Sequence, residues 1–234
     1  MISPLTPLPE DFATTVASLH RVAEEIVAPA RKPDNEIALE PTVEGFGTPE
    51  FEFRGTQQRV RVEADELVHD VAGKAQRAPL FSLAAAGVLV ADLLPEAGVG
   101  LDPAPLAIDR DAALVLAGWY AFGARVLERL GEEASTAEAA TKPILWPEHF
   151  DVAIELGDEA AGHRATYGFS PGDENHAEPY AYVAPWVAQT PGGRWNATGF
   201  GGAELGYTDL LDAEDPEVGA LHFLRAGRDA LAAT

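Results

Sequence analysis

The sequence predicts an α+β fold, in which an antiparallel, meander-like sheet packs with about four helices. Short segments with strand character follow one another in runs, instead of alternating regularly with helical segments. Other segments carry apolar residues at three- and four-residue spacing, which is typical of helices with one buried face. Because 47% of the 234 residues are hydrophobic, the chain can bury a core. We expect a single domain over residues 1–234, with a small, polar surface linker at residues 131–142.

The first third of the chain predicts one helix and a short meander. A helix is expected over residues 8–28, where an apolar stripe repeats, and Pro29 and Pro33 end it. Strands are expected at residues 36–40, 50–54 and 58–63, and the last of these alternates Val60 and Val62 with charged residues.

The remaining elements are predicted from caps and from alternation. Helices are expected over residues 79–94, with Ser82 as the cap, and over residues 109–130, followed by Gly131. Strands are expected at residues 150–156, 164–169 and 180–184. The last helix is signalled by Asp215 as the cap and Pro216 at its first position.

Composition excludes several classes of partner. The formal charge of −22 repels nucleic-acid phosphate and anionic lipid, so neither is expected as a partner. The apolar stretches at residues 80–94 and 112–127 are shorter than the roughly 18 residues that a membrane-spanning helix needs. The chain has no cysteine, which excludes disulfides and thiol nucleophiles. Its first twelve residues have no basic or apolar region, so we do not expect them to act as a secretory signal. We therefore expect a cytoplasmic protein.

Two short motifs are better explained as turns than as catalytic loops. Residues 168–172 match the G-x-S-x-G pattern, but Pro171 has no N–H to donate to an oxyanion. The glycines at residues 199–202 lack the third glycine of a dinucleotide loop, since Glu204 stands there, and no G-K-[ST] sequence exists. The sequence thus contains no nucleotide-binding motif.

Residues 146–186 concentrate the side chains that could bind a ligand. On the predicted strand, His149 and Asp151 are expected on the face opposite Phe150, and Tyr180 and Tyr182 are expected to share a face of theirs. The aromatic ligand-binding candidates are Trp146, Tyr180, Tyr182 and Trp186. The candidates for binding a divalent metal are His149, Asp151, Asp173, Glu174, His176 and Glu178.

Three functions are compatible with this region. The first is a protein that binds a small molecule, such as a cation, in an aromatic and acidic pocket at residues 146–186. The second is a metal-assisted or acid/base enzyme that uses His149, Asp151 and His176. The third is a structural or assembly role, for example as a homo-oligomer, with no active site.

The same region carries a family resemblance. The spacing of W…FD-[VL]-A, GFxPG and PYxY resembles an uncharacterised bacterial family of actinobacterial type. The residues that carry it are Trp146, Phe150, Asp151, Val152, Ala153, Gly168, Phe169, Pro171, Gly172, Pro179, Tyr180 and Tyr182. The resemblance implies a shared fold, and it implies no activity because none is assigned to that family.

Overall fold

The computed structural model describes residues 5–34, 36–94, 100–173 and 175–233. Within these residues, five α-helices and two antiparallel sheets form, which confirms the predicted α+β class. The chain divides into two compact units. The N-terminal unit is Leu8–Gly118 with Leu145–Phe150, and the C-terminal unit is the described part of Met1–Pro7, Trp119–Ile144 and Asp151–Thr234.

The N-terminal unit begins with a helix that is shorter than predicted. Helix α1 spans Phe12–Val22 and continues into a π-helical turn at Ala23–Val27 and a 3₁₀ turn at Pro29–Asp34. The predicted apolar stripe is buried: Phe12, Val16, Leu19, Ala23 and Ile26 are each at most 9% exposed. The periodicity therefore located the buried face, while the last turns adopt other helical geometries.

The sheet of the N-terminal unit has the order β1-β2-β4-β5-β6, with β3 also paired to β4. Its strands are β1 (Glu40–Thr42), β2 (Gly45–Gly47), β3 (Phe51–Phe53), β4 (Thr56–Glu63), β5 (Glu66–Val71) and β6 (Lys74–Pro79). Sequence analysis did not identify β2, β5 or β6. The β5–β6 hairpin turns through Ala72 and Gly73, with φ of 51° and 76°. Alanine is an unusual residue for such a turn, so the hairpin had no clear signal.

Two helices follow this sheet. Helix α2 spans Leu83–Leu89, and the Ser82 hydroxyl accepts a hydrogen bond from the Ala85 N–H at 3.1 Å, as its predicted role as a cap requires. Helix α3 spans Arg110–Glu132 and contributes residues to both units. Gly131 lies inside α3, so the prediction that it follows the end of the helix is wrong. No helix in the described parts of the chain is long and apolar enough to cross a membrane.

The C-terminal unit contains four strands in the order β11-β10-β9-β8. They are β8 (Asp151–Leu156), β9 (Ala165–Ser170), β10 (Tyr180–Pro185) and β11 (Ala203–Gly206). The short strand β7 (Ile144–Trp146) lies where the chain passes between the units. Two helices complete this unit, α4 (Tyr207–Leu211) and α5 (Pro216–Ala232). Asp215 caps α5 as predicted, because its carboxylate accepts from the Glu217 and Val218 N–H groups at 3.0 and 3.1 Å.

One face of this second sheet forms the core of the C-terminal unit. Phe169 packs edge-on against Trp119 of α3 with ring centroids 5.3 Å apart, and Gly123 leaves the space that the Phe169 ring occupies. Gly227 of α5 lies similarly close to Val183 of β10. The helices therefore cover the apolar face, and the side chains that alternate with it lie on the other face.

The segment at residues 131–142 is attached to this sheet. The Thr141 N–H donates to the Glu155 carbonyl at 2.9 Å, and the Gly157 N–H donates to the Glu138 carbonyl at 2.8 Å. The predicted surface linker thus lies alongside β8 and is held there by backbone hydrogen bonds.

Candidate functional site

The strand register gathers polar and aromatic residues on the face of the second sheet opposite the helices. Tyr182 is paired with Gly168 of β9 on one side and with Glu204 of β11 on the other. Tyr180 is paired with Ser170 in the same way. Since side chains alternate along a strand, these residues share one face. We call this surface the tyrosine face, and it comprises Asp151, Gly168, Ser170, Tyr180, Tyr182 and Glu204.

Tyr182 lies flat against its neighbouring strand. A β-carbon built on Gly168 would be 2.5 Å from the Tyr182 ring and hydroxyl, so only glycine leaves room for this ring position. The Tyr182 hydroxyl donates a hydrogen bond to Oδ2 of Asp151, and Asp151 is 4% exposed. Phe200 meets the Tyr182 ring edge-on at 6.1 Å. The Gly168 gap and the Asp151 acceptor together fix the ring.

Tyr180 faces the connection between β9 and β10. Its hydroxyl donates to Oδ2 of Asp173 at 2.8 Å. Its ring centroid is 4.3 Å from that of His176 and 6.1 Å from that of Tyr182. The two tyrosines are thus neighbours, and the hydroxyl of each donates a hydrogen bond to a different carboxylate.

His176 lies between two carboxylates. Its Nδ1 is 3.1 Å from Oδ1 of Asp173, and its Nε2 is 3.0 Å from Oε2 of Glu204. A continuous hydrogen-bonded chain therefore runs from Glu204 through His176 and Asp173 to Tyr180.

The environment keeps the tyrosine hydroxyls protonated. Burial, followed by the Asp151 carboxylate, raises the pKa of Tyr182 well above its usual value. Burial and the hydrogen bond to Asp173 likewise raise the pKa of Tyr180. For Asp173, burial alone would raise the pKa, but hydrogen bonds from Tyr180, the Asn175 N–H and His176 outweigh it, and the net shift is downward. Both tyrosines therefore act as hydrogen-bond donors, and Asp173 is an ionised acceptor.

Of the predicted site residues, Asp151, Asp173, His176, Tyr180 and Tyr182 come together on or beside the tyrosine face. Glu178 is exposed and accepts a hydrogen bond from the Thr208 hydroxyl at 3.0 Å. Trp186 is 53% exposed, and its ring packs under the Arg164 guanidinium at 5.2 Å. Glu174 lies outside the described residues.

Two predicted site residues belong to the N-terminal unit. Trp146 is half-buried in β7, and His149 is exposed in the turn that precedes Phe150. The expectation that His149 and Asp151 share a strand face is wrong, because β8 begins at Asp151 and Phe150 has a φ of 53°. A φ in the left-handed region breaks the alternation on which that expectation depended. Phe150 itself is buried against Phe46 and stacks on the ring of His20.

The arrangement differs from a metal coordination shell. Among the described residues, no group of three or more histidine, aspartate and glutamate side chains is placed to hold a metal ion. The His176 ring separates its two carboxylates, since each binds a different nitrogen. The contacts between His176 and the two carboxylates are therefore hydrogen bonds between side chains.

Glu204, Gly168 and Ser170 are site residues that the sequence did not predict. The place of Glu204 opposite Tyr182 depends on the register of a four-residue strand. Gly168 and Ser170 belong to a segment whose sequence predicts a turn, and Gly168 also belongs to the GFxPG motif of the family resemblance. A signal did exist for Gly168, since glycine inside a strand commonly marks the close approach of another group.

Comparisons of the chain with protein-family models, with curated proteins and with solved structures found no match. The resemblance to an actinobacterial family therefore stays a prediction.

Proposed function

We propose that the protein binds a small cationic organic molecule on the tyrosine face. The observation that carries this proposal is the pair of adjacent tyrosine rings on β10, 6.1 Å apart, each bound to a carboxylate. Aromatic rings combined with a few placed polar groups are typical of the sites that recognise small molecules.

The charges around the rings favour a cation. Asp151, Asp173 and Glu204 contribute carboxylates, whereas His176 is the basic partner in the described hydrogen-bonded chain. Arg164 is near this sheet but is paired with Glu155 at 3.3 Å. With a formal charge of −22 on the whole chain, an anionic ligand would be repelled both locally and at long range.

The tyrosine rings suit the same kind of ligand. Because both hydroxyls donate to carboxylates, a ligand would contact the ring faces that Gly168 and His176 do not cover. Aromatic faces attract ammonium and guanidinium groups within about 6 Å of the ring centroid. The same unit already contains such a contact, between Arg164 and Trp186 at 5.2 Å.

The hydrogen bonding favours binding over acid/base catalysis. A general base needs a lone pair that can reach a substrate proton. Each nitrogen of His176 and each hydroxyl of Tyr180 and Tyr182 already has a carboxylate partner. His149, which the enzyme hypothesis also required, is not part of this chain of hydrogen bonds.

The proposal is tested by titrating the isotope-labelled protein with cations and their neutral isosteres, followed by amide NMR. The panel holds primary ammonium, quaternary ammonium and guanidino compounds, with pairs such as choline beside its carbon isostere, dimethylbutanol. We expect cations to shift the amide signals of residues 180–182 and 168–170, and the neutral isosteres to leave them unchanged. A ligand at 100 times its dissociation constant should also add about 2.7 kcal/mol to the free energy of unfolding.

Variants separate the contributions of rings and hydroxyls. Tyr180→Leu should weaken binding of an active cation by about three-fold to ten-fold, the range expected for one cation–π contact. Tyr180→Phe retains the ring, so its affinity for the same cation should be closer to that of the native protein. Tyr207→Phe is the matched control, because Tyr207 donates to the Thr6 carbonyl and lies outside the tyrosine face. Equal responses to cations and isosteres would contradict the proposal, and a flat response to the whole panel would favour the assembly role.

A further inference from the structure

His176 joins two segments that are distant in sequence. It lies in the connection between β9 and β10, and its Nε2 contacts Glu204 of β11, 28 residues later, at 3.0 Å. Glu204 is itself fixed to Asn196, since the Glu204 N–H donates to the Asn196 side chain at 3.0 Å and the Asn196 amide donates to the Glu204 carbonyl at 3.1 Å. The imidazole is thus a side-chain link between the β9–β10 connection and the residues leading into β11.

The other ring nitrogen of His176, Nδ1, also contacts a carboxylate, that of Asp173. Asp173 faces Nδ1 and also accepts from the Asn175 and His176 N–H groups at 2.7 and 2.9 Å and from the Tyr180 hydroxyl at 2.8 Å. The described titratable groups that face the ring are therefore Asp173 from the same connection, Tyr180 from β10 and Glu204 from β11.

The protonation state of the imidazole determines which of the two hydrogen bonds it can donate. A neutral imidazole carries one N–H and one lone pair, so it can donate to only one of the two carboxylates. The second nitrogen would then present its lone pair to a carboxylate oxygen about 3 Å away, which is repulsive. Only the imidazolium donates to both. The distances on both sides of the ring therefore favour the protonated form.

We propose that His176 is a pH-sensitive latch, which in its protonated form ties the β9–β10 connection to β11 and on losing its proton releases one of the two carboxylates. This inference does not depend on the proposed ligand, since the latch operates in the ligand-free protein. Because Tyr180 shares Asp173 with the latch, release would also change the edge of the tyrosine face.

The direction of the pH effect follows from the contacts. Partial burial alone would lower the pKa of His176, but hydrogen bonds to Asp173 and Glu204 outweigh it, so its pKa is raised above the ordinary value of 6.5. The latch is therefore closed at pH values below this raised pKa and opens as the pH rises through it.

The test is an NMR pH titration of the ligand-free protein, labelled in its histidine rings and backbone amides. We expect the His176 ring to titrate with a midpoint above 6.5. The amide signals of residues 175–176 and of residues 196–204 should shift with that same midpoint. Glu204→Gln should move the ring midpoint downward, because it replaces a carboxylate by a neutral amide.

Two controls make the outcome decisive. His222→Gln alters an exposed histidine of α5 and should leave both midpoints unchanged. His176→Gln should abolish the shared transition at residues 196–204 and leave other titrations intact. The proposal is overturned if the native His176 ring titrates at or below 6.5, or if it titrates higher while the amides of residues 196–204 do not follow. Both overturning results come from the native protein, so they do not depend on how any variant folds.

Discussion

The ring of Tyr182 rests on Gly168, its cross-strand partner, so closely that a β-carbon at Gly168 would lie 2.5 Å from the ring. This contact connects three sequence segments, because the Tyr182 hydroxyl in turn donates a hydrogen bond to Asp151. Gly168 leaves the space, Tyr182 fills it, and Asp151 accepts the hydrogen bond from the Tyr182 hydroxyl. The tyrosine face is therefore a packed arrangement whose members require one another.

Gly168→Ala should displace the Tyr182 ring. The added methyl group cannot fit, so we expect a loss of about 1–3 kcal/mol in the free energy of unfolding, typical of overpacking. Urea denaturation measures it. Gly118→Ala is the matched control, because a β-carbon at Gly118 in α3 meets no atom within 4 Å. There the change should be neutral or stabilising by up to about 1 kcal/mol, since alanine favours helix more than glycine does. Equal effects at the two positions would contradict the proposed packing.

Tyr182→Phe removes the hydrogen bond to Asp151 while retaining the ring. Because Asp151 is 4% exposed, losing a donor there leaves a buried carboxylate less well satisfied. We expect a loss of about 1–3 kcal/mol in the free energy of unfolding. Combining it with Asp151→Ala, which removes the acceptor, gives a double-mutant cycle, and a coupling near zero would show that the two side chains do not stabilise each other.

Several elements of this fold could be predicted because their signals are local. Ser82 and Asp215 bind N–H groups two or three residues away, so each cap is contained in a short stretch of sequence. The alternation in β4 and β8 and the apolar stripe of α1 are local in the same sense.

The candidate site could be predicted only in part, because its contacts are not local. Strand alternation alone predicts that Tyr180 and Tyr182 lie on the same face of their strand. The contact of His176 with Glu204 spans 28 residues and depends on the pairing of β11 with β10. The position of His149 depends on one left-handed residue, Phe150, which is a rare conformation for a bulky side chain.

Asp173 should stabilise the folded protein at neutral pH and contribute to the loss of stability in acid. Its pKa is lowered below the ordinary value of 3.8 despite partial burial, through hydrogen bonds from Tyr180, Asn175 and His176. Its stabilising effect is therefore present above 3.8 and is lost as the pH falls through the lowered folded value. Asp173→Asn should reduce the free energy of unfolding at neutral pH and flatten its decline in acid. Asp212→Asn, at an exposed position after α4, is the control and should leave the acid limb unchanged.

His69 should give the opposite pH dependence to that of His176. His69 is 7% exposed on β5, between the Gln58 side chain at 2.8 Å and the Leu89 carbonyl at 3.3 Å. Burial lowers its pKa below 6.5, against smaller raising effects from the Leu89 carbonyl and Asp92. Since the unfolded chain takes up this proton more readily, the free energy of unfolding should decline as the pH falls below 6.5. For His176 the decline should occur as the pH rises above 6.5.

Chemical denaturation of single variants between pH 5 and 9 separates the two histidines, since a group contributes to the pH slope only where its folded and unfolded proton occupancies differ, at about 1.4 kcal/mol per pH unit at most. His69→Gln should flatten the acid side of the stability profile and leave the alkaline side as it is. His176→Gln should flatten the alkaline side of the stability profile and leave the acid side as it is. If either substitution flattened the other side, or if both left the profile unchanged, the protonation states derived from these contacts would be wrong. The double variant should show the sum of the two effects, because the histidines share no hydrogen-bond partner.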